Sequence, residues 1–373
     1  MKITDIESVI LRLPVVKPIG DGCQTVLIIK VHTAEGITGL GECHANPEVG
    51  KAIIDARLHS ISSCGLKELL IGEDPRDINR LWDLMYRRTQ SWGRRGAVMY
   101  AISGVEMALW DILGKSLNAP VHRLLGGARK MDFKVYASDL APDKPGGSVK
   151  IATKHRRNGY QAVKIGWGGL GGDPRADVKM ARDVRRAVGP DMDIMIDMGF
   201  PVPLSDALYL GEALAEHGVY FLEEPLHSDD LHGYRRLTEA SRTPIATGEK
   251  DTTQYPFIDL MERGGLRIVQ PDLARVGGIT EMMRIATHAE ARGVRVIPHC
   301  WSTDILVAAT LHFISTLRDC PYLEFNATDN PLRTQLLKEP IRPDKHGVVR
   351  VPDKPGLGIE LDERTMKKYR FEP

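Results

Sequence analysis

The chain has 373 residues, of which 42% are hydrophobic and 27% are charged, and this composition is typical of a globular protein and excludes an intrinsically disordered one. The 50 Lys and Arg residues nearly balance the 49 Asp and Glu residues, so the net charge of +1 excludes the strong field with which a basic protein attracts nucleic acid or a membrane surface. At roughly 100–200 residues per domain, the length predicts two domains, or one large domain with a smaller one.

Residues 1–127 predict an α+β domain in which strands come before helices. Antiparallel strands are predicted at Ile3–Leu13, Thr25–Thr33 and Ile37–Gly41. Helices are predicted at Val49–Leu58, Asp77–Arg88 and Gly96–Leu117, of which the last has apolar residues at the helical period.

Residues 128–330 predict a parallel barrel, because short apolar runs alternate with amphipathic helical segments eight times. Repeated strand–helix units imply parallel strands with right-handed crossovers, and eight of them match the (β/α)8 TIM barrel of about 250 residues. The predicted strands are Val135–Ser138, Ala162–Ile165, Ile194–Ile196, Val219–Leu222, Ile245–Thr247, Ile268–Gln270, Val294–Ile297 and Tyr322–Phe325. Residues 331–373 are predicted to return to the first domain and to complete it.

The residues at the ends of the predicted strands are the candidate functional residues, since the active site of such a barrel lies at the carboxyl ends of its strands. These positions follow one another at intervals of 23 to 33 residues, at Ser138, Lys164, Asp197, Glu223, Glu249, Asp272, His299 and Glu324. Seven of the eight are ionisable, although charged residues are rare on buried strands unless they have partners.

Three carboxylates, Asp197, Glu223 and Glu249, end consecutive strands and predict a Mg²⁺ site. Converging carboxylates repel one another and are costly to bury, and a hard divalent cation with oxygen ligands removes that cost. Any one of them alone could equally be a helix cap or a surface group. Alternation along the strand sends only one of Glu223 and Glu224 inward, and Glu223 keeps the register.

Asp272 and His299 end neighbouring strands and predict a proton-transfer pair, because an aspartate orients the imidazole and raises its pKa. Lys164 is a candidate to hold a substrate anion or to stabilise an enolate. The alternative interpretation is that it is an exposed lysine at a strand end without a function in the site. Glu324 is a candidate protonated donor, which would require a raised pKa. Together with Mg²⁺, these groups predict removal of the proton α to the carboxylate of a small-molecule substrate.

Several motifs resemble the enolase superfamily, and specifically its mandelate racemase subgroup. They are Ala101–Asp111, Leu124–Gly127, Ile196-Asp197, Leu222–Pro225, Gly248-Glu249, Gln270–Asp272 with Gly277–Thr280, Pro298-His299 and Pro355–Ile359. The resemblance covers nearly the whole chain. It implies a capping domain over the barrel mouth, specificity loops near Pro18–Gln24 and Ala45–Lys51 that exclude water, and an even-numbered homo-oligomer.

The second predicted barrel strand departs from the subgroup, which often has Lys-x-Lys there. Lys164 matches the first lysine, and Gly166 takes the place of the second, so a base on that face is missing. A racemase needs a base on each face, whereas a dehydratase can use the His–Asp pair alone. The sequence therefore favours dehydration of an aldonate or aldarate to a 2-keto-3-deoxy acid, with a racemase or epimerase as the alternative.

Two other classes of protein are alternatives to a metal-dependent enzyme of this kind. Gly166–Gly171 formally matches the GxGxxG pattern of a dinucleotide-binding oxidoreductase, but Asp173-Pro174 predicts that the helix starts only after these glycines. The second alternative is a protein that keeps the fold without catalytic activity. The ionisable residues at seven of the eight strand ends argue against it. Lys250 and the Gly166–Gly172 loop have no assigned role at this stage.

The cysteines and the N-terminal residues predict a cytoplasmic protein. Residues 1–7 show no basic segment followed by an apolar run, and no apolar stretch is expected to reach transmembrane length. The five cysteines are odd in number and lack CxxC spacing, which favours reduced thiols over disulfides or a zinc site.

Overall fold

The chain begins with a three-stranded antiparallel sheet in the computed structural model, which describes residues 1–61, 63–142, 144 and 146–372. The sheet has the order β1 (Ile3–Arg12), β2 (Thr25–Thr33) and β3 (Thr38–Cys43). The helices that follow are α1 (Pro47–Asp55), α2 (Leu66–Leu70), α3 (Ile78–Gly93), α4 (Ala97–Ser116) and α5 (Val121–Leu124). The predicted strands and the three predicted helices are confirmed, with small shifts at their ends.

Helix α4 is the core of this N-terminal domain and packs directly on β3. A Cβ added at Gly41 would lie 1.9 Å from the carbonyl oxygen of Gly104, so only glycine permits this approach. By length and composition α4 could cross a membrane, which corrects the expectation that no stretch has that length. In the structure, however, 78% of its most apolar window is buried, as in the core helix of a globular domain.

Eight parallel strands form a curved sheet that matches the predicted barrel. They are β4 (Asp132–Leu140), β5 (Ala162–Gly166), β6 (Asp193–Asp197), β7 (Val219–Glu223), β8 (Ile245–Thr247), β9 (Ile268–Val269), β10 (Arg295–Val296) and β11 (Tyr322–Asn326). Their order in the sheet is β10-β9-β8-β7-β6-β5-β4-β11. All eight predicted strands are therefore confirmed, although β9 and β10 are shorter than predicted.

Helices follow the barrel strands along the chain. They are α6 (Gly147–Arg157), α7 (Pro174–Val188), α8 (Leu204–Ala213), α9 (Leu231–Ala240), α10 (Gln254–Glu262), α11 (Leu273–Val276), α12 (Gly278–Ala291) and α13 (Asp304–Ile314). The last strand, β11, is followed only by the short α14 (Pro331–Thr334). Helix α7 begins after the glycine-rich loop, and Asp173 accepts a hydrogen bond from the Arg175 N–H at 2.9 Å, as its sequence predicts.

Two buried glutamates of the N-terminal domain hold it against the barrel. Glu106 accepts hydrogen bonds at 2.7 Å and 2.9 Å from the backbone N–H groups of Ile279 and Thr280, at the start of α12. Glu42 accepts hydrogen bonds from Thr303 at 2.7 Å and from Ser302, at the start of α13. The positive ends of two barrel helices thus stabilise two buried carboxylates, and this fixes the N-terminal domain over the carboxyl ends of the strands.

The C-terminal segment contacts both parts of the fold. Strand β12 (Val348–Arg350) pairs with β4 of the barrel. Farther along, the Leu357 N–H donates to Asp111 of α4 at 2.8 Å, and the Phe371 N–H donates to Ile10 of β1 at 2.9 Å. Helix α15 (Glu363–Tyr369) lies between these contacts. All five cysteines are free and buried, as predicted.

Candidate active site

Asp197, Glu223 and Glu249 meet at the carboxyl ends of three adjacent strands. Asp197 and Glu223 are register partners at the ends of β6 and β7, and Glu249 lies two residues beyond β8. One oxygen from each carboxylate lies within 4.8 Å of the others, and all three side chains are buried. Because each donor is a carboxylate oxygen, this group fits a hard divalent cation such as Mg²⁺.

Burial raises the pKa of both Asp197 and Glu223, and repulsion from neighbouring carboxylates adds to the rise. Burial would raise the pKa of Glu249 as well, but His299 and Arg275 outweigh it and lower that pKa to about 2. The cluster therefore carries unfavourable negative charge that a cation would stabilise.

Lys164 is the principal counter-ion of this cluster. Its side chain, on β5, is 2% exposed, and its Nζ lies 2.8 Å from Glu223, 2.8 Å from Glu324 and 3.4 Å from Asp197. Burial alone would lower its pKa, but these carboxylates raise the pKa well above its usual value. Lys164 is therefore a buried ammonium and not an exposed lysine at a strand end.

His299 and Asp272 form the pair that their strand positions predict. His299 Nδ1 lies 2.6 Å from Asp272 Oδ2, and Asp272 Oδ1 accepts a hydrogen bond from the Ala274 N–H at 2.7 Å. An Nδ1–H that donates to the carboxylate leaves His299 Nε2 as the exchanging atom, and this atom lies 3.2 Å from Glu249. Burial would lower the pKa of His299, but Glu249 and Glu324 outweigh it and raise the pKa to about 9.

The surroundings of Glu324 lower its pKa, whereas a protonated donor requires a raised one. Burial would raise its pKa, but Lys164 and His299 outweigh that effect and lower it. Its Oε2 accepts a hydrogen bond from the Cys300 N–H at 2.7 Å. Glu324 is therefore a partner of Lys164, and the nearby cations favour its charged form. Its role as a protonated donor stays a prediction.

Two residues of the site were missed by the sequence reasoning. Arg275 Nη1 lies 3.2 Å from Glu249, and Arg275 Nε lies 3.5 Å from Asp272. His44, which directly follows β3 of the N-terminal domain, lies 3.4 Å from Asp272 and stacks on His299 with 6.2 Å between ring centroids. Arg275 could have been found, because it is three residues after Asp272 on a helix start. Nothing in the spacing of the barrel strands points to His44.

Lys250, which had no assigned role, forms an ion pair with Glu224. Burial raises the pKa of Glu224 to about 8, and Lys250 opposes that rise. Glu224 therefore pairs with the residue that follows the end of the next strand, whereas Glu223 joins the carboxylate cluster, as alternation along β7 predicts.

Gly166 leaves no room for a second base beside Lys164. A Cβ added at this position would lie 2.6 Å from Cβ of Asp197, its register partner on β6. A side chain at residue 166 would therefore require Asp197 or the end of β5 to shift. Glycine at residue 166, in place of the second lysine, therefore fits the close approach of Asp197.

These residues surround a cavity of about 230 Å³ at the carboxyl ends of the strands. It is lined by the N-terminal domain at Gly20, Gly22 and His44 and by the barrel at Lys164, Trp167 and His299, among others. A larger cavity of about 540 Å³ lies at the opposite ends of β9 and β10 and contains none of the predicted site residues. The smaller cavity is the candidate active site, because Asp197 and Glu249 of the carboxylate cluster and His299 of the His–Asp pair line it.

A capped barrel with buried carboxylates, a lysine and a His–Asp pair at its mouth defines a class of enzymes that act on carboxylic acids. Residues 6–126 match the mandelate racemase/muconate lactonizing enzyme N-terminal domain, and residues 148–365 match the enolase C-terminal domain-like family. The chain belongs to the enolase superfamily, in its mandelate racemase/muconate lactonizing enzyme group.

Relatives with assigned activities cover nearly the whole chain. The D-galactarolactone cycloisomerase of Agrobacterium fabrum is 32% identical over 92% of this chain and 91% of its own. The arabinonate dehydratase of Saccharolobus solfataricus is 32% identical over 95% of this chain and 93% of its own. The crystal structure of the 3,6-anhydro-D-galactonate cycloisomerase from Zobellia galactanivorans is similar at a TM-score of 0.89, with 31% identity and 100% coverage of both chains.

Proposed function

We propose that this enzyme dehydrates a sugar acid: it removes the proton α to the carboxylate and eliminates the β-hydroxyl, which yields a 2-keto-3-deoxy acid. The observation that carries the proposal is the one-sided placement of the proton-transfer groups. His299 and Asp272 stand on one side of the cavity, and Gly166 leaves no space for a base beside Lys164. The arabinonate dehydratase relative supports the same reaction class.

Asp197, Glu223 and Glu249 would hold Mg²⁺. When bound, this ion would supply Lewis-acid stabilisation of negative charge on the substrate carboxylate and would neutralise the Glu249 charge that raises the pKa of His299. The three carboxylates fit this role because their oxygens converge within 4.8 Å and are buried.

His299 takes the α-proton at Nε2, while Asp272 stabilises the imidazolium through the 2.6 Å contact to Nδ1. The electron pair of the broken C–H bond forms a double bond between the α-carbon and the carboxylate carbon, and the π electrons of the carboxylate move onto its oxygens, which gives an enediolate. Lys164 stabilises this developing charge, because its buried ammonium is held in place before the reaction by Glu223 and Glu324.

The imidazolium of His299 then returns its proton to the departing β-hydroxyl, and water leaves as the C–O bond breaks. The resulting enol rearranges to the 2-keto acid. One histidine can serve both steps when the α-proton and the β-hydroxyl lie on the same face of the substrate. A racemase would require a second base on the opposite face, and the packing at Gly166 disfavours it.

A second candidate is elimination of a ring oxygen in place of a hydroxyl, as the names of the two cycloisomerase relatives suggest. The same residues would remove the α-proton, but the leaving group would stay attached to the product. This candidate predicts turnover of a lactone or an anhydro sugar acid and none of the open-chain acid.

The test is a panel of aldonic and aldaric acids, with their lactones and anhydro forms, incubated with Mg²⁺ and assayed for 2-keto acid. We expect product from an open-chain acid, none after chelation, and none with the His299→Asn variant. His227→Asn is the matched control, because the His227 side chain is 69% exposed and lies outside the cavity. Product formation by His299→Asn at the wild-type rate would overturn the proposal.

A further inference from the structure

Trp167, at the end of β5, has a strained backbone and lines the active-site cavity. Its φ is +59°, in the left-handed region that bulky residues rarely adopt. The conformation is held in place, because the Trp167 N–H donates to the carbonyl oxygen of Asp197 at 3.1 Å. Strained backbone of this kind clusters at ligand-binding sites, where the surrounding structure fixes it.

Two glycines and a phenylalanine pack closely against the indole ring of Trp167. A Cβ added at Gly199 would lie 2.7 Å from the indole, and one added at Gly20 of the N-terminal domain would lie 3.3 Å from it. Phe200 meets the ring edge to face at 5.2 Å between centroids. Trp167 is half-buried and is one of the residues that line the cavity.

Lys250 lies beside the same ring, with its Nζ 5.6 Å from the ring centroid. It pairs with Glu224 and donates to the carbonyl oxygen of Gly199 at 3.1 Å. A lysine ammonium has three N–H donors, and these contacts use two of them. One donor therefore remains for a hydroxyl of a ligand that rests on Trp167.

Every cation that lines the cavity within the described residues is already paired with a carboxylate. Lys164 pairs with Glu223, Lys250 with Glu224, and Arg275 with Glu249. The cation beside Trp167 is Lys250, and its partner Glu224 is not one of the three carboxylates that would hold Mg²⁺. A second carboxylate at this end of the ligand would therefore be buried without a free counter-ion, which is strongly unfavourable. An uncharged hydroxylated chain meets no such penalty, and its C–H groups can pack on the indole.

We infer that Trp167 and Lys250 form a subsite for the end of the substrate remote from its reacting carboxylate, and that this subsite takes an uncharged polyhydroxyl end. The inference rests on the proposed function and narrows it: the substrate is a monocarboxylic aldonate rather than a dicarboxylic aldarate. It also gives a role to Lys250 and to the loop that begins at Gly166.

Binding measured without turnover tests this inference separately from the proposed reaction. Calorimetry with the Mg²⁺-loaded His299→Asn variant would compare the stereoisomeric hexonates, the corresponding hexarates and glycerate, which is too short to reach Trp167. We expect at least one hexonate to bind more tightly than every hexarate and than glycerate. Trp167→Ala in the same background should weaken that hexonate about 10-fold and leave glycerate unchanged.

Trp92→Ala is the matched control, because Trp92 is exposed on α3 and is not a cavity residue. Mg²⁺ affinity reports whether Trp167→Ala has kept its fold, and Trp167→Phe should recover part of the hexonate affinity. The inference is overturned if a hexarate binds as tightly as the best hexonate, if no hexonate binds, or if Trp167→Ala weakens glycerate and hexonate equally. Tight hexonate binding without dehydration by the parent enzyme would refute the proposed reaction and leave the subsite standing.

Discussion

Replacing Lys164 with methionine is expected to destabilise the metal-free protein by about 3–5 kcal/mol, because it removes one partner of a buried ion cluster. The Lys164 Nζ lies 2.8 Å from both Glu223 and Glu324 and 3.4 Å from Asp197. Methionine keeps most of the apolar stem, so the loss reports the missing charge rather than a cavity. Because three carboxylates lose this counter-ion, the expected loss in the free energy of unfolding is well above that of a surface substitution.

Urea unfolding in the presence of a chelator measures the effect, with Lys150→Met as the control. Lys150 is exposed on α6, and its replacement should change the free energy of unfolding by less than about 0.5 kcal/mol. Added Mg²⁺ should stabilise Lys164→Met more than the wild type, because the ion would compensate the same carboxylates. A loss no larger than that of the control would refute the view that Lys164 neutralises the cluster.

Three further outcomes are expected. Glu223→Gln should abolish turnover and weaken Mg²⁺ binding measured by calorimetry while leaving the circular dichroism spectrum unchanged; wild-type metal affinity would contradict the metal site. Asp272→Asn should lower kcat by about 10²–10⁴-fold in steady-state assays, because His299 loses the group that stabilises its charged form, and an unchanged kcat would argue against the pair. Burial lowers the pKa of His312 to about 4. Below about pH 6.5 the unfolded state therefore binds more protons than the folded state. The free energy of unfolding is expected to fall by about 3 kcal/mol as the pH drops from 6.5 towards 4. Urea midpoints at pH 7 and pH 4.5 should show this drop in the wild type and a smaller one in His312→Gln; equal drops would refute it.

The barrel and its metal cluster could be predicted because parallel strands buried on both faces are short apolar runs, and the crossovers repeat at similar lengths. Once the strands are aligned, the one or two residues that follow each run are expected at the mouth of the barrel. Asp197, Glu223, Glu249, Asp272 and His299 all follow from that rule, and the structure brings all five together. The short helices α2, α5 and α14 could not be predicted, since four or five residues are too few to show a helical period.

The features of the site that could not be predicted from the sequence depend on contacts between distant parts of the chain. His44 reaches the site because the N-terminal domain is held on the barrel by contacts such as those of Glu42 and Glu106. The lowered pKa of Glu324 depends on its distance to Lys164, which strand positions alone do not define. The place of Trp167 beside the cavity likewise depends on a backbone conformation that its residue type does not predict.

The fate of the α-proton in D₂O tests the central claim, that one histidine on one side of the site carries out a dehydration. NMR spectra of product and recovered substrate would be recorded after turnover by the wild type and by His299→Asn, with Mg²⁺ present. Dehydration by one histidine predicts a 2-keto-3-deoxy acid with solvent deuterium at C3, no C2 epimer, and no product from His299→Asn. A C2 epimer that carries deuterium at C2, formed without any keto acid, would contradict it.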